Sequence, residues 1–174
     1  MPISIRKSPI PAGTMLERYA KNGAYADCYR TDLPQSISFP EFIFAFYTTP
    51  LFKLERVILK LVVAKPSTDV QAKEIAEGAG LEFAAWKVEG RSENELLMCD
   101  FRGHTRSWFM ITSRSTDFAP RTRLYFGSAV VPRLNPKTGK KSIGPVYRAL
   151  LGFHQIYSIL LLYSARLSIQ HHKK

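Results

Sequence analysis

Cysteine is scarce in this chain, because its 174 residues include only Cys28 and Cys99. Two cysteines are too few for a disulfide scaffold, and their separation matches neither a zinc motif nor a redox motif. We therefore expect two buried, reduced thiols. The four histidines also lack metal-ligand spacing, so we predict no metal and no cofactor. His104 falls in a predicted turn between strands, where we expect it to be exposed.

The sequence also lacks a long apolar run. Its first residues, MPISIRKSPIPAG, are basic but have no apolar core of signal-peptide length, so a cytoplasmic location is expected. Residues 149–165 contain no Lys, Arg, Asp or Glu, but this run is just shorter than a bilayer span. His154, Gln155 and Ser158 interrupt it. We therefore expect a buried helix here rather than a transmembrane anchor.

Acidic residues are rare after residue 100. Residues 101–141 carry nine Lys and Arg against one Asp, and residues 142–174 carry four against none. Most of the net charge of +11 arises here. Such a field attracts anions, so it is compatible with an anionic small molecule, peripheral contact with an anionic membrane, or nucleic acid. It is equally compatible with a solvated basic face. No recognised nucleic-acid motif accompanies the charge, so nucleic acid is the least favoured partner.

Apolar residues make up 45% of the chain, which is enough for the core of one domain. The pattern predicts a strand, then three helices, then four strands connected by short turns, and finally a long helix. The predicted ranges are 24–33 for the first strand, about 39–64 for two consecutive helices, 68–77 for the third, 81–89, 96–101, 105–114 and 121–131 for the later strands, and 145–169 for the closing helix. Short connections favour antiparallel pairing, and strands grouped in this way indicate an α+β domain.

The second of the consecutive helices is predicted to be amphipathic. Leu54, Ile58 and Leu61 repeat at helical spacing, whereas Glu55 and Lys60 fall on the opposite side. We interpret the leucine side as packed on the core and the Glu55 side as facing solvent.

Three segments of the chain carry a resemblance to a known fold family. They are the stretch DCYRTDLP at 27–34, the helical segment at 39–62, and Val146-Tyr147-Arg148 with Phe153-His154 and Ile156 in the closing helix. Over residues 24–169 the chain resembles START-like and Bet v 1-like (SRPBCC) helix-grip proteins, which include polyketide cyclases. More narrowly, it resembles a bacterial helix-grip family of unknown function, in which a proline stands where this chain has Gly152.

This resemblance implies a curved antiparallel sheet around a long C-terminal helix, with a cavity between them. We assign residues 24–170 to that single domain, 1–23 to an irregular arm with a short helical turn near 15–20, and 171–174 to a tail. The family provides no established activity.

We predict that this cavity binds a hydrophobic or amphipathic small molecule, either neutral or anionic. Both faces of the strand at 105–114 carry apolar residues, so either face is compatible with lining it. The expected lining residues are Tyr147, Phe153, His154, Tyr157, Trp108 and Tyr125, with Arg106 and Arg123 as partners for an anion.

An enzyme on the same scaffold, resembling a cyclase or an isomerase, is the alternative. His154 or Asp100 would then transfer a proton. Each residue also has a structural interpretation, since a histidine in an apolar helix is often a packing residue. Asp100 is close enough in sequence to pair with Arg102 or Arg106 on the surface.

Overall fold

The computed structural model describes residues 5–116, 119–134, 141–143 and 145–171, with side chains for 5–62, 64–113, 121–132, 143, 149 and 152–171. The described elements are five helices and nine strands. In chain order they are β1 (Arg6–Lys7), α1 (Glu17–Lys21), β2 (Tyr25–Leu33), α2 (Phe39–Thr48), α3 (Pro50–Val63), α4 (Asp69–Glu77), β3 (Glu82–Phe83), β4 (Trp86–Arg91), β5 (Glu95–Asp100), β6 (Thr105–Thr116), β7 (Ala119–Val130), β8 (Arg133–Leu134), β9 (Lys141–Ser142) and α5 (Pro145–His171).

Helices α2, α3 and α4 each begin where a side chain satisfies one of their first backbone N–H groups. Ser38 and Glu41 form a capping box at the start of α2. Thr49 accepts a hydrogen bond from the third residue of α3. Thr68 and Gln71 form a second capping box at the start of α4.

Seven strands form one antiparallel sheet in the order β1-β2-β7-β6-β5-β4-β3, and β8 pairs with β9 separately. The predicted α+β class is confirmed. One predicted strand is wrong in detail, because 81–89 is divided into β3 and β4. A tight turn at Ala84, whose φ is +52°, lets Phe83 pair directly with Trp86.

The two faces of the sheet are covered by different parts of the chain. The helix face, which carries Tyr29, Phe109 and Phe126, packs against the helices that follow β2. The arm face, which carries Trp108, packs against fully buried Leu16 from the N-terminal segment. The predicted arm is therefore more ordered than expected: β1 adds an edge strand to β2, and the segment containing α1 covers one face.

Helix α2, rather than α5, covers the centre of the helix face. The ring of Phe46 lies 4.7 Å from that of Phe109 and 4.8 Å from that of Phe126. Helix α5 packs against α2, α3 and strands β2 and β7. This arrangement fills with aromatic rings much of the space that the sequence suggested as a cavity. None of the described helices has an apolar stretch that would reach across a bilayer.

Helix α3 is rotated relative to the prediction. Leu54, Leu61 and Val62 are 58%, 78% and 74% exposed, whereas Glu55 is half-buried. The rotation follows from Phe52, whose buried ring contacts the aromatic rings of the core. Arg56, one turn later on the same side, pairs with Asp69 of α4. Burial of one aromatic ring and this ion pair thus outweigh burial of the aliphatic stripe.

Both cysteines are buried and free, as predicted. Burial, together with the charge of the neighbouring Asp27, raises the pKa of the Cys28 thiol to about 12. A thiol that stays protonated is a poor nucleophile, so Cys28 acts as a small apolar residue of the core.

Candidate functional site

A pocket of about 170 Å³ lies where α3 and α5 meet the helix face of the sheet; we call it the α3–α5 pocket. Aromatic side chains of the core border it, including Phe46, Phe109 and Phe126. Its polar lining includes four side chains that the two helices supply, namely Glu55, His154, Tyr157 and Ser158. An apolar pocket with a few convergent polar groups is the usual form of a small-molecule site.

Glu55 and Tyr157 join the two helices across the pocket. The Tyr157 hydroxyl donates a hydrogen bond of 2.5 Å to Glu55 Oε2. Burial raises the pKa of the Glu55 carboxyl, although the bond from Tyr157 opposes that rise. Burial also raises the pKa of Tyr157, and the Glu55 charge adds to the effect. The phenol therefore keeps its proton, and the carboxyl holds its own proton more tightly than an exposed glutamate.

A chain of hydrogen bonds runs from His154 into the sheet. His154 Nε2 lies 2.6 Å from Ser128 Oγ, which donates a 2.6 Å hydrogen bond to Asp27 Oδ1. The hydroxyl of Tyr25 donates to the other carboxylate oxygen of Asp27 at 3.1 Å, and Gln155 donates to that hydroxyl at 2.7 Å. Asp27 and Ser128 are each only 2% exposed, so these bonds satisfy groups that water does not reach.

The order of the groups in this series of hydrogen bonds determines which atoms carry the protons. A carboxylate only accepts hydrogen bonds, so the single hydroxyl proton of Ser128 points to Asp27. Ser128 Oγ then accepts from His154 Nε2, which must carry a proton. A serine nucleophile needs a histidine that receives its proton, with the carboxylate behind the histidine. Here the serine stands between the two, so the arrangement orients His154 and does not activate Ser128.

Ser158 is the one polar group of the pocket lining that stands out as unsatisfied. Its side-chain oxygen is buried and has no hydrogen-bond partner among the described residues, and the residue is 1% exposed. A serine within a helix commonly bonds a carbonyl of the preceding turn, and this hydroxyl does not. An unsatisfied buried hydroxyl costs about 1–3 kcal/mol, which a bound water or ligand would recover.

The structure brings together some of the predicted residues of α5. His154 and Tyr157 line the pocket. Phe153 does not: it is 67% exposed and stacks on the outer side of the Tyr157 ring, with centroids 6.0 Å apart. Tyr147 lies in the first turns of α5, but its side chain is outside the described residues.

Trp108 and Tyr125 do not agree with the prediction, since they lie on the arm face, away from the α3–α5 pocket. Trp108 packs with Leu16, and its Nε1 donates to Glu95 Oε2 at 2.9 Å. The reason is the alternation of strand side chains: Phe109 and Phe126 point to the helices, so their neighbours in sequence point the other way. Trp108, Phe109 and Met110 in the middle of β6 are all buried, so both faces carry apolar residues there and the sequence does not distinguish them.

Neither predicted anion partner offers a guanidinium to the pocket. Arg106 borders the pocket, but its Nη2 lies 2.8 Å from Glu89, and its Nη1 donates to the Gly103 carbonyl. Arg123 makes two hydrogen bonds to Asp32, of 2.6 and 2.9 Å. Both cations are therefore already engaged by carboxylates. The prediction that they hold a ligand anion is not supported by their positions.

Asp100 has a structural role in the turn between β5 and β6. Its carboxylate accepts hydrogen bonds from the backbone N–H groups of Arg102, His104 and Thr105. It is absent from the pocket lining, so it does not suit the proton-transfer role considered for it. His104, expected to be exposed, is instead buried at 7%.

Sequence reasoning missed Glu55, Ser158 and the pair formed by Asp27 and Ser128. The helical periodicity of α3 predicts that its aliphatic stripe is buried, which places Glu55 on the solvent side. Asp27 could be recognised from the sequence, because a carboxylate in the middle of an apolar strand needs a buried hydrogen-bond partner. That partner is its cross-strand neighbour, because Asp27 pairs in register with Ser128.

Comparison with known proteins does not identify the site. No protein-family model matches the chain, and no curated protein shows significant similarity to it. The function is therefore inferred from the residues of the pocket.

Proposed function

We propose that this chain is a helix-grip protein of the START-like and Bet v 1-like type. Two features support this. A first long strand is followed by consecutive helices before the remaining strands, and a long helix closes the chain. The first long strand pairs with the last long strand, β7, as closure of a gripping sheet requires. The edge strand β1 and the arm that covers the second face are additions to this plan.

The function that the geometry supports best is binding of a small amphipathic molecule in the α3–α5 pocket. The observation that carries this proposal is the buried Ser158 hydroxyl, which has no partner among the described residues and lines the same pocket as Glu55, Tyr157 and several aromatic rings. A ligand with one polar group and one apolar ring would satisfy this hydroxyl and contact the rings.

The pocket volume limits the size of the ligand. An engineered apolar cavity of about 150 Å³ holds one benzene molecule, whereas drug-sized ligands need roughly 300–1,000 Å³. At about 170 Å³ the pocket suits a single ring or a short chain. A sterol or a phospholipid would require α3 and α5 to separate.

The charge of the pocket limits the polar group. Glu55 is the acidic side chain of the lining, and Arg106, which borders the pocket, is engaged by Glu89 and the Gly103 carbonyl, so binding of an anionic ligand is disfavoured. A neutral hydroxyl is favoured because it can donate to Glu55 and accept from Ser158. A protonated amine is also favoured because it can donate to both side chains. Among the ligands compatible with the sequence, the neutral amphipathic class is therefore the best supported.

Thermal-shift measurements with p-cresol, indole, benzylamine and benzoate test this proposal. We expect p-cresol or benzylamine to raise the melting temperature and benzoate to have less effect. Native mass spectrometry of the same samples should show one ligand per chain. The variant Ser158→Val should abolish the shift, while Ser113→Val, at an exposed position on β6, should leave it unchanged. If none of the four compounds binds, or if Ser158→Val binds as the wild type does, the proposal is wrong.

Acid–base catalysis in the same pocket is a second candidate. It is favoured by one observation, the raised pKa of Glu55 at hydrogen-bond distance from Tyr157, because displaced pKa values concentrate in active sites. His154, considered for this role from the sequence, also lines the pocket. An isomerase of small cyclic ketones would exchange a substrate C–H proton with deuterated water. Loss of that exchange in Glu55→Gln would support catalysis, and absence of exchange in the wild type would exclude it for the ketones tested.

A further inference from the structure

The exposed side of α3 and α5 is unusually apolar. Fourteen large apolar side chains are exposed among the residues whose side chains are described, and ten of them lie on these two helices. The most exposed positions include Leu61 at 78%, Val62 at 74% and Phe153 at 67%. Soluble monomers rarely expose a contiguous apolar patch larger than a few hundred Å², so this surface indicates an interaction site.

The exposed residues of the two helices form one surface. The bond from Tyr157 to Glu55 marks where α3 and α5 touch. Ile58 lies one turn beyond Glu55 on α3, and Phe153 and Leu160 lie one turn to either side of Tyr157 on α5. The two apolar stripes therefore flank the same line of contact, and we call them together the α3–α5 apolar surface.

The charge around this surface is positive. Within α3 and α5 the sequence contains one acidic residue, Glu55, and its carboxylate accepts the Tyr157 hydrogen bond in the pocket. Helix α5 has no Asp or Glu. Lys60 on α3 and Lys65 just after it are exposed. Lys53 and Arg56 of α3 are paired with Asp69 of α4, but neither α3 nor α5 itself has an exposed carboxylate. An apolar surface of this kind bordered by lysines is complementary to anionic lipid headgroups over an apolar interior.

We propose that the α3–α5 apolar surface docks on an anionic lipid bilayer, with Leu61, Val62 and Phe153 entering the headgroup boundary. A second copy of the chain is a weaker occupant, because each chain carries a net charge of +11 and this surface offers no carboxylate to the lysines of a partner. The exposure of the aliphatic stripe of α3 agrees with the proposal. Because the core does not bury this stripe, its side chains are available to enter a membrane. The proposal does not depend on ligand binding in the pocket.

Sedimentation of the full chain with vesicles tests this proposal. Vesicles of phosphatidylcholine alone are compared with vesicles that also contain phosphatidylserine, at low and at high salt. We expect binding to the anionic vesicles that weakens as salt rises. The double variant Leu61→Gln/Phe153→Gln should bind about tenfold less tightly, because two apolar side chains no longer enter the boundary. Each of Lys60→Gln and Lys65→Gln should reduce binding about fivefold.

Leu81 and Val70 provide a matched control, because they are 72% and 67% exposed but lie outside α3 and α5. The variant Leu81→Gln/Val70→Gln should bind vesicles as the wild type does. Three results would each overturn the proposal: no vesicle binding, vesicle binding that Leu61→Gln/Phe153→Gln leaves intact, or self-association in light scattering that this variant abolishes. The last result would assign the surface to a second copy of the chain.

Discussion

The hydrogen bond from Tyr157 to Glu55 gives the most specific energetic prediction. The variant Tyr157→Phe removes one oxygen and keeps the ring that stacks on Phe153. Glu55 then remains half-buried without that donor. A hydrogen bond to a charged group contributes about 1.5–3 kcal/mol, against about 1 kcal/mol for a neutral pair. We therefore expect Tyr157→Phe to lower the free energy of unfolding by about 2 kcal/mol at pH 8, or the melting temperature by about 4–8 °C.

The contribution of Glu55 to the free energy of unfolding should depend on pH. Because burial raises the pKa of Glu55, the folded state binds this proton more tightly than the unfolded state. The contribution of Glu55 to stability is thus largest at low pH, and it declines as pH rises from the ordinary glutamate pKa to the raised one. Glu55→Gln carries no charge, so it should gain stability relative to the wild type as pH rises through that window.

Urea unfolding of the wild type, both single variants and the double variant measures the coupling. In the Glu55→Gln background, Tyr157→Phe should cost only about 1 kcal/mol, which leaves a coupling energy of about 1 kcal/mol. At low pH, where Glu55 is protonated, the coupling should shrink. A coupling energy indistinguishable from zero at pH 8, or one that grows as pH falls, would refute this account of the pair.

Three further predictions concern other parts of the fold. Ser128→Ala leaves an Asp27 oxygen buried without its donor and should lower the free energy of unfolding in urea by about 2 kcal/mol. A decrease below about 0.5 kcal/mol would contradict the hydrogen bonds that join His154, Ser128 and Asp27. Leu16→Ala removes a fully buried side chain from the arm face and should cost about 2–5 kcal/mol while hastening proteolysis of the arm. Asp100→Asn should weaken the β5–β6 turn by about 1 kcal/mol, and unchanged ligand binding in this variant would agree with its position outside the pocket.

Most of the element order is encoded locally and was predicted for that reason. The caps at Ser38, Thr49 and Thr68 depend on residues within three positions of one another, so the sequence alone specifies where these helices begin. The strands likewise follow from short turns between apolar runs. These signals do not require knowledge of distant contacts.

The rotation of α3 and the inward face of β6 depend on distant contacts. The sequence predicts the wrong buried side for α3 and leaves the inward face of β6 open. The periodicity of α3 indicates an amphipathic helix, but Phe52 and the ion pair to α4 determine which side is buried. In the middle of β6 both faces are buried, so the sequence there lacks the apolar–polar alternation that would identify a solvent-exposed face. Glu55 lies on α3, and Trp108 and Arg106 lie on β6, so their expected positions depended on these two elements. Of the expected lining residues on α5, His154 and Tyr157 border the α3–α5 pocket, whereas Phe153 does not.

The chain contains only two tryptophans, which makes the central claim directly measurable. Trp86 lines the α3–α5 pocket, whereas Trp108 lies on the arm face. Fluorine NMR of protein labelled with fluorotryptophan, assigned through Trp86→Phe and Trp108→Phe, would follow both during a titration with p-cresol. We predict a saturable shift of the Trp86 resonance with no change at Trp108. A shift at Trp108 alone, or no shift of either resonance, would contradict ligand binding in this pocket.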